Sequence, residues 1–415
     1  MSPVEIAIIG AGSRGSGYAQ YAENNPKLAR VTAVAEPRTE QRNALVEKHK
    51  IAPSNVFEDW RDIAKAERLA DAAVIATQDA MHVDPTRVLA DKGYQILLEK
   101  PMAPDVDGCR AIAEAIRRNN TIFAVGHVLR YTDYTQTLKE LIAAGRIGEL
   151  VGIQQLEPVG YWHQAHSFVR GNWANKNASS SMLLAKCCHD VDWIHYIMDS
   201  KCTAVSSFGS LRHFTPANRP PNSAERCLDC AVEPDCPYSA RRIYGRFLEK
   251  GLHGWPLDIL ASEVNPKNIE TALREGPYGR CVYACDNDVV DHQVVNMEFE
   301  NGNTATLTMM AFTKAAARKT RIFGTKGEIT GDGSILRVFD FLTEETEEID
   351  TRASAASVAG GHGGGDTGLM KAFIEAVAEN DQSKVLGDCR ETLDSHLIVF
   401  AAERARCEHR VIELD

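Results

Sequence analysis

The chain has 415 residues, 44% hydrophobic and 25% charged, enough for two domains with substantial cores. Its formal charge of −11 argues against general nucleic-acid binding and against an anionic membrane surface, and no apolar run is long enough to span a bilayer. The first strand begins within a few residues, which leaves no room for a signal peptide and points to a cytoplasmic protein, so the eleven cysteines are expected as thiols or a metal site before disulfides.

The chain opens on an apolar strand, residues 4–9, and runs into Gly10-Ala11-Gly12-Ser13-Arg14-Gly15 at the head of a helical stretch. A second apolar run, residues 31–35, ends on Glu36. Each part suits a dinucleotide. Gly10 permits the tight turn, Gly12 admits a pyrophosphate, and Gly15 lets helix pack on strand. The helix N-terminus offers free N–H groups to phosphate, and Glu36 stands where a carboxylate accepts from a ribose. That carboxylate favours NAD over NADP. Arg38, two residues on, pulls the other way, because an arginine there holds a 2′-phosphate or stacks on adenine.

Further strands follow at residues 71–77, 94–99 and 121–126, with Val106, Cys109, Ile112, Ala113 and Ile116 at helical spacing between the last two. This alternation predicts a parallel sheet covered on both faces, and a dinucleotide-binding domain over residues 1–126. Residues 127–415 read as a second, substrate-binding and oligomerising domain. Val295, Met297 and Phe299 share one strand face. Asn301-Gly302 is a hairpin signal, and Ala305, Leu307, Met309 and Ala311 share a face of the next strand. A strand at Arg321-Ile322-Phe323 then precedes the Thr325-Lys326-Gly327 turn. Together these predict an antiparallel sheet. Its other face carries Met310 and Phe312 among threonines, so it is expected to pack on a second subunit. Residues 212–288, rich in proline, arginine and cysteine, look like an insertion. Residues 353–368, rich in Ala, Ser and Gly, look like a loop. Leu393, Leu397 and Phe400 mark a C-terminal helix.

Glu99-Lys100-Pro101 ends a strand, at the edge where open parallel sheets bind ligands. With Gly10-Ala11-Gly12, Gly126 through Arg130 and Thr325-Lys326-Gly327-Glu328, it resembles the Gfo/Idh/MocA family, the glucose–fructose oxidoreductase and inositol dehydrogenase relatives. The resemblance spans most of the chain. It implies an α/β N-terminal Rossmann domain, then an α+β C-terminal domain with a large, mostly antiparallel sheet. It implies hydride transfer between NAD(P) and a sugar or polyol carbon, and a homodimer or homotetramer joined through that sheet. It places Lys100 beside substrate and nicotinamide. The cofactor residues it implies are Gly10, Gly12, Ser13, Arg14, Gly15, Glu36, Arg38, Thr77, Gln78, His82, Glu99, Lys100 and Arg130, with Arg170 and Trp173 over the nicotinamide end.

One segment departs from the family. Members often carry Asp, three residues, then His on one helix. Here His189 matches the histidine, while Ala185 replaces the acid and Lys186 stands beside it. Lys186 and His189, three apart, share a helix face and are the expected catalytic partners of Lys100. Tyr131, Trp162, His163, Asp192, His292 and His362 are the substrate candidates, and the Tyr161–His166 run has the aromatic faces and polar tips that suit a sugar. Cys227-x2-Cys230-x5-Cys236, with Cys285 or Cys281 as a fourth ligand, is a candidate structural zinc site. The leading functional expectation is an NAD-dependent sugar or polyol dehydrogenase. The alternative is an NAD-dependent glycoside hydrolase that works by transient C3 oxidation, elimination, water addition and reduction. A non-catalytic NAD-dependent sensor ranks third.

Overall fold

A computed structural model describes residues 2–353 and 361–414, the side chains of 353, 361 and 362 excepted. Six parallel strands form the first sheet: β1 (Val4–Ile9), β2 (Ala29–Ala35), β3 (Val56–Phe57), β4 (Ala72–Ile75), β5 (Gln95–Leu98) and β6 (Phe123–Val125). Their order is β3-β2-β1-β4-β5-β6. The order reverses beside β1, so the crevice at the C-terminal ends of β1 and β4 is where a ligand binds in this topology. The strands read as unbroken apolar runs because helices bury both faces; Ile6, Ile8 and Leu97 pack on one side, and Ala7, Ile9, Ile96 and Leu98 on the other.

Nine strands form the second sheet: β7 (Leu150–Pro158), β8 (Cys202–Ser210), β9 (His292–Phe299), β10 (Thr304–Met310), β11 (Lys319–Gly324), β12 (Gly327–Gly331), β13 (Ile335–Asp340), β14 (Thr346–Asp350) and β15 (Ile412–Glu413). The order is β14-β13-β12-β11-β7-β10-β9-β8-β15. Every pair is antiparallel except β7 with β10. The register aligns Ser207, Val295, Leu307, Gln155 and Thr320 in one buried row, and Phe208, Val294, Thr308 and Leu156 in a neighbouring row on the opposite face. The buried face packs on the Met182–Met198 and Cys389–Glu408 helices, with Leu307, Ile322, Ile194 and Ala402 in one core. Phe312 lies beyond the end of β10 and stacks on Phe214 of the insertion, with ring centroids 5.9 Å apart.

The first domain is not closed by residues 1–126 alone. The Gly365–Glu379 helix returns to it, and Leu369, Met370, Phe373 and Ile374 share a core with Ile6, Ile8 and Val74. Of the expected loop at 353–368, residues 354–360 and the His362 side chain lie outside the described residues, and Gly365 onward is helix rather than loop. The 212–288 insertion carries a core of its own, built on Phe214, Tyr238, Tyr244, Leu257, Ile269 and Leu273.

Candidate active site at the end of the parallel sheet

The turn after β1 is shaped for a phosphate. Gly10 has φ +92°, and a Cβ there would lie 2.6 Å from the Ala76 carbonyl oxygen, so only glycine fits. A Cβ on Gly12 would meet only the Arg38 guanidinium, at 3.3 Å, which leaves room for close backbone approach. The Ser13–Asn24 helix starts at Gly12 with no side-chain cap and no acidic residue in its first turn. Its first N–H groups and the positive end of its dipole therefore face an anion site. Glu36, at the end of β2, is buried. It accepts from Ala11 N–H at 2.7 Å and from Arg38 N–H at 2.9 Å, and its two oxygens take the Arg38 guanidinium at 2.8 and 2.9 Å. Burial by itself would raise this carboxyl; the hydrogen bonds from Arg38 and Ala11 outweigh it and hold Glu36 below the usual carboxylate range. Glycine turn, uncapped helix and carboxylate together fit a dinucleotide.

β5 delivers Glu99 and Lys100 to the same edge. Glu99 is buried and accepts from Arg14 Nε at 2.5 Å, the Tyr18 hydroxyl at 2.7 Å and the Lys100 N–H at 2.8 Å. Arg14 also reaches Asp366 at 2.6 Å, which ties the glycine turn to the returning C-terminal helix. The Lys100 ammonium leaves the sheet edge and donates to the Ala185 carbonyl at 2.9 Å. That bond joins the first domain to the Met182–Met198 helix, whose N-terminus is capped by Ser181 Oγ accepting from Leu184 N–H at 3.3 Å.

The helix carries the remaining chemistry. Lys186 pairs with Glu157 of β7 at 3.1 Å, and Arg318 bridges Glu157 and Asp190, each at 2.9 Å. Gln155 of β7 donates to Asp190 at 2.6 Å. Two cations and two carboxylates thus balance at the helix–sheet junction, and Lys186 and Arg318 each keep 20% of their side-chain surface open. His189, one turn after Lys186, is buried, its ring centroid 6.3 Å from that of His127. His163 is held well below the ordinary histidine range by burial and by the charges of Lys186, His166 and Lys100. It is therefore a neutral imidazole in the field of both lysines. Trp162 stacks on it at 5.7 Å, and Trp255, from the insertion, meets it edge-on at 5.0 Å.

Several expected residues lie elsewhere. Arg130 and Asp192 are fully buried against each other; the Arg130 guanidinium takes Asp192 at 2.7 and 2.8 Å, Glu391 at 2.9 Å and the Leu386 carbonyl at 3.1 Å. The described donors of Arg130, expected at the cofactor, are thus engaged with Asp192, Glu391 and the Leu386 carbonyl, and Asp192, expected at the substrate, takes two of them. His82 is wholly buried with its nitrogens at the Pro101 and Thr77 carbonyls, at 2.8 and 3.2 Å, where it braces two loops of the cofactor edge instead of facing it. Arg170, expected over the nicotinamide end, turns into the insertion and donates to the Arg280 and Tyr238 carbonyls at 2.7 and 2.8 Å. Trp173 is 40% exposed and leans on Phe168. Tyr131 accepts from Leu386 N–H at 2.9 Å between helices, and His292 pairs with Asp291 at 2.8 Å at the start of β9. Ser13 and Gln78 are exposed and Thr77 is half-buried, beside the turns that end β1 and β4. His362 lies outside the described side chains.

The zinc expectation is not supported. All eleven cysteines are free thiols, and among the described residues no group of three or more His, Cys, Asp or Glu side chains is placed to hold a metal. Cys227, Cys230, Cys236 and Cys281 do line one small cleft, but Arg170 lines it with them, its guanidinium 3.5 Å from Cys227 Sγ. A fixed cation thus borders the space that a tetrahedral metal would need. Cys285 instead donates to the Cys281 carbonyl at 3.3 Å.

Sequence reasoning missed Glu157, Arg318 and Trp255. Glu157 sits on a strand it did not predict, and nothing local distinguishes Arg318 or Trp255 from surface residues.

Comparison with known proteins agrees with this architecture. Residues 4–127 match the family described as "Oxidoreductase family, NAD-binding Rossmann fold", and residues 139–414 match "Oxidoreductase family, C-terminal alpha/beta domain". "Putative oxidoreductase YteT" of Bacillus subtilis (strain 168) is 22% identical over 329 residues, covering 76% of this chain and 74% of that protein. The inositol 2-dehydrogenase of Rubrobacter xylanophilus is 25% identical over 206 residues, 49% of this chain and 54% of that enzyme, so the match spans about half of its length. A levoglucosan dehydrogenase, solved with NADH and levoglucosan, superposes with a TM-score of 0.73 at 18% identity, covering 99% of each chain.

Proposed function

Because the chain belongs to the Gfo/Idh/MocA oxidoreductase family, we propose that it is an NAD-dependent enzyme that oxidises a secondary hydroxyl of a sugar, sugar derivative or polyol. One observation carries this reading. The Lys100 ammonium stands at the cofactor edge of the parallel sheet and touches the helix that bears Lys186 and His189. Bound NAD supplies the hydride acceptor. The chain's own work is to place the carbinol and receive its proton, at Lys100 Nζ or the His189 imidazole. The Trp162, His163 and Trp255 rings offer stacking faces to the C–H surface of a sugar.

The redox-neutral glycosidase reading keeps support from His163. A neutral imidazole next to Lys100 and Lys186 is a base free to take the proton alpha to a newly formed ketone. A screen of free sugars and aryl glycosides, following NADH and released phenol together, separates the two. Net NADH with a free sugar supports the dehydrogenase; phenol without net NADH supports the glycosidase.

Cofactor choice rests on Glu36. NAD is expected to bind at least about tenfold tighter than NADP, a difference of ~1.4 kcal/mol, when both are titrated into apoprotein. Equal or tighter NADP binding would mean that Arg38, which forks onto Glu36, decides instead.

Assembly rests on the outer face of the second sheet, where Phe208, Val294 and Leu156 lie in one cross-strand row and Phe208 is 61% exposed. A homodimer or homotetramer joined through that face is expected at micromolar concentration. Light scattering that returns the mass of a single chain would refute it.

A further inference from the structure

A cavity of about 500 Å³ lies beside the lysine site, between the Asp133–Ala143 and Met182–Met198 helices and the buried face of β7 and β11. None of the residues expected to bind cofactor or substrate lines it. Its walls include Tyr134, Trp193, Gln155, Ala317, Arg318 and Ser334. Three features say what it takes.

The first is nearness to the lysine cluster. Lys186, Asp190 and Trp193 are spaced as i, i+4 and i+7, so they share one face of the helix. At about 1.5 Å per residue, Trp193 stands roughly 10 Å along the axis from Lys186, about the span of two sugar rings. Arg318 forms the junction, holding Glu157 and Asp190 on one side and lining the cavity on the other.

The second is an unmet polar demand. Gln155 is 1% exposed, its amide nitrogen donates to Asp190, and its Oε1 is buried with no hydrogen-bond partner among the described residues. A buried acceptor left unpaired is costly, and a hydroxyl donor from a ligand removes that cost. The Arg318 guanidinium uses Nε and Nη2 on the carboxylates, and no contact of its Nη1 is present among the described residues. It offers a donor to a ligand oxygen.

The third is the character of the lining. Trp193 and Tyr134 give it apolar faces, with a few converging polar groups. The volume falls within the ~300–1,000 Å³ typical of organic-ligand sites. Asp133, Arg318 and Arg352 line the cavity, and both arginines are already paired, Arg318 with Glu157 and Asp190 and Arg352 with Asp350, so no uncompensated cation selects an anion over a neutral ring.

We propose that this cavity is a subsite for a second ring, so that the substrate is a glycoside or disaccharide whose reacting sugar sits at Lys100 and whose neighbouring hydroxyl-bearing ring sits between Trp193, Gln155 and Arg318. This rests on the carbohydrate reading above. The test uses the full-length enzyme with NAD and a panel of glucose, galactose, maltose, cellobiose, gentiobiose and lactose, with products followed by chromatography and NADH by absorbance. At least one disaccharide should exceed its monosaccharide in kcat/KM by at least about tenfold. Ala317→Trp, at an exposed position on the cavity wall, should lower that disaccharide-to-monosaccharide ratio at least about tenfold by filling the subsite. Ser334→Trp, from the opposite wall, gives the same readout should Ala317→Trp fail to fold. Monosaccharides turned over as well as or better than every disaccharide would overturn the subsite while leaving the dehydrogenase reading intact. An undiminished ratio in the filled variants would place the second ring elsewhere. A protein that binds NAD but neither turns over nor, by calorimetry, binds any member of the panel would fail the carbohydrate reading itself.

Discussion

Lys100→Ala is expected to lower kcat by roughly 10²–10⁴-fold, with NAD affinity nearly intact. Affinity should survive because the glycine turn, the uncapped Ser13–Asn24 helix and Glu36 carry the dinucleotide, and none of them contacts the Lys100 ammonium. His189→Ala should cost a similar factor if its imidazole moves the proton. Lys186→Ala separates the two readings of the chemistry. A dehydrogenase tolerates it to the extent that Glu157 keeps Arg318 as a partner. An elimination mechanism in which Lys186 rather than His163 takes the alpha proton stalls after the oxidation step and accumulates NADH, and His163→Ala does the same where His163 is the base. Rates are compared at saturating NAD and substrate, so that binding losses are not mistaken for chemistry. Near wild-type turnover in both Lys100→Ala and His189→Ala would mean that the acid–base groups lie elsewhere.

Asp192→Ala should be the most destabilising single change of those considered. The Asp192 carboxylate is 1% exposed, accepts both Arg130 donors and lies 2.8 Å from His127 Nδ1. Removing it leaves the buried Arg130 guanidinium, among the described residues, hydrogen-bonded to Glu391 and the Leu386 carbonyl alone, over the Tyr196 ring. Breaking a buried ion pair by deleting one partner typically costs about 3–5 kcal/mol, because the other charge stays desolvated. Denaturant unfolding should show a fall of that order in the stability of this region, and a loss under about 1 kcal/mol would mean that water reaches Arg130. The pH dependence has a definite sign. Burial would raise this carboxyl, but the charges of Arg130 and His127 overcome it and hold it far below the usual carboxylate range. The stabilisation is therefore complete above the unfolded carboxyl pKa near 4 and fades as pH falls toward the folded value. The alanine variant should lack that acid-side dependence.

The glycine turn, Glu36, Lys100 and the parallel alternation were legible in the chain because each is a local signal. Gly10 must be glycine for a reason written in its own φ and in the next strand edge. The hairpin at Asn301-Gly302 was legible for the same reason, and β9 and β10 pair across it in one continuous register. The strands Leu150–Pro158, Cys202–Ser210, Gly327–Gly331, Ile335–Asp340, Thr346–Asp350 and Ile412–Glu413 were not read, although they are six of the nine in the second sheet. Arg130 and Arg170 were expected at the site on resemblance, and Asp192 from its place on the His189 helix. Their partners were not legible, since a buried guanidinium takes whichever carboxylate or carbonyl the fold brings within reach, and a local motif does not name that partner.

The sequence by itself determined the dinucleotide turn and the position of Lys100, because the atoms that define them lie within a strand, a turn and the first turn of a helix. Only the tertiary structure decided the rest of the site. Arg318 meets Asp190 across 128 positions of sequence, and Lys186 meets Glu157 because β7 lies between β11 and β10 beneath the helix. Such contacts are fixed by strand order and by the face on which a helix lies. Both follow from burying one face of a nine-stranded sheet, a global demand that no window of sequence expresses.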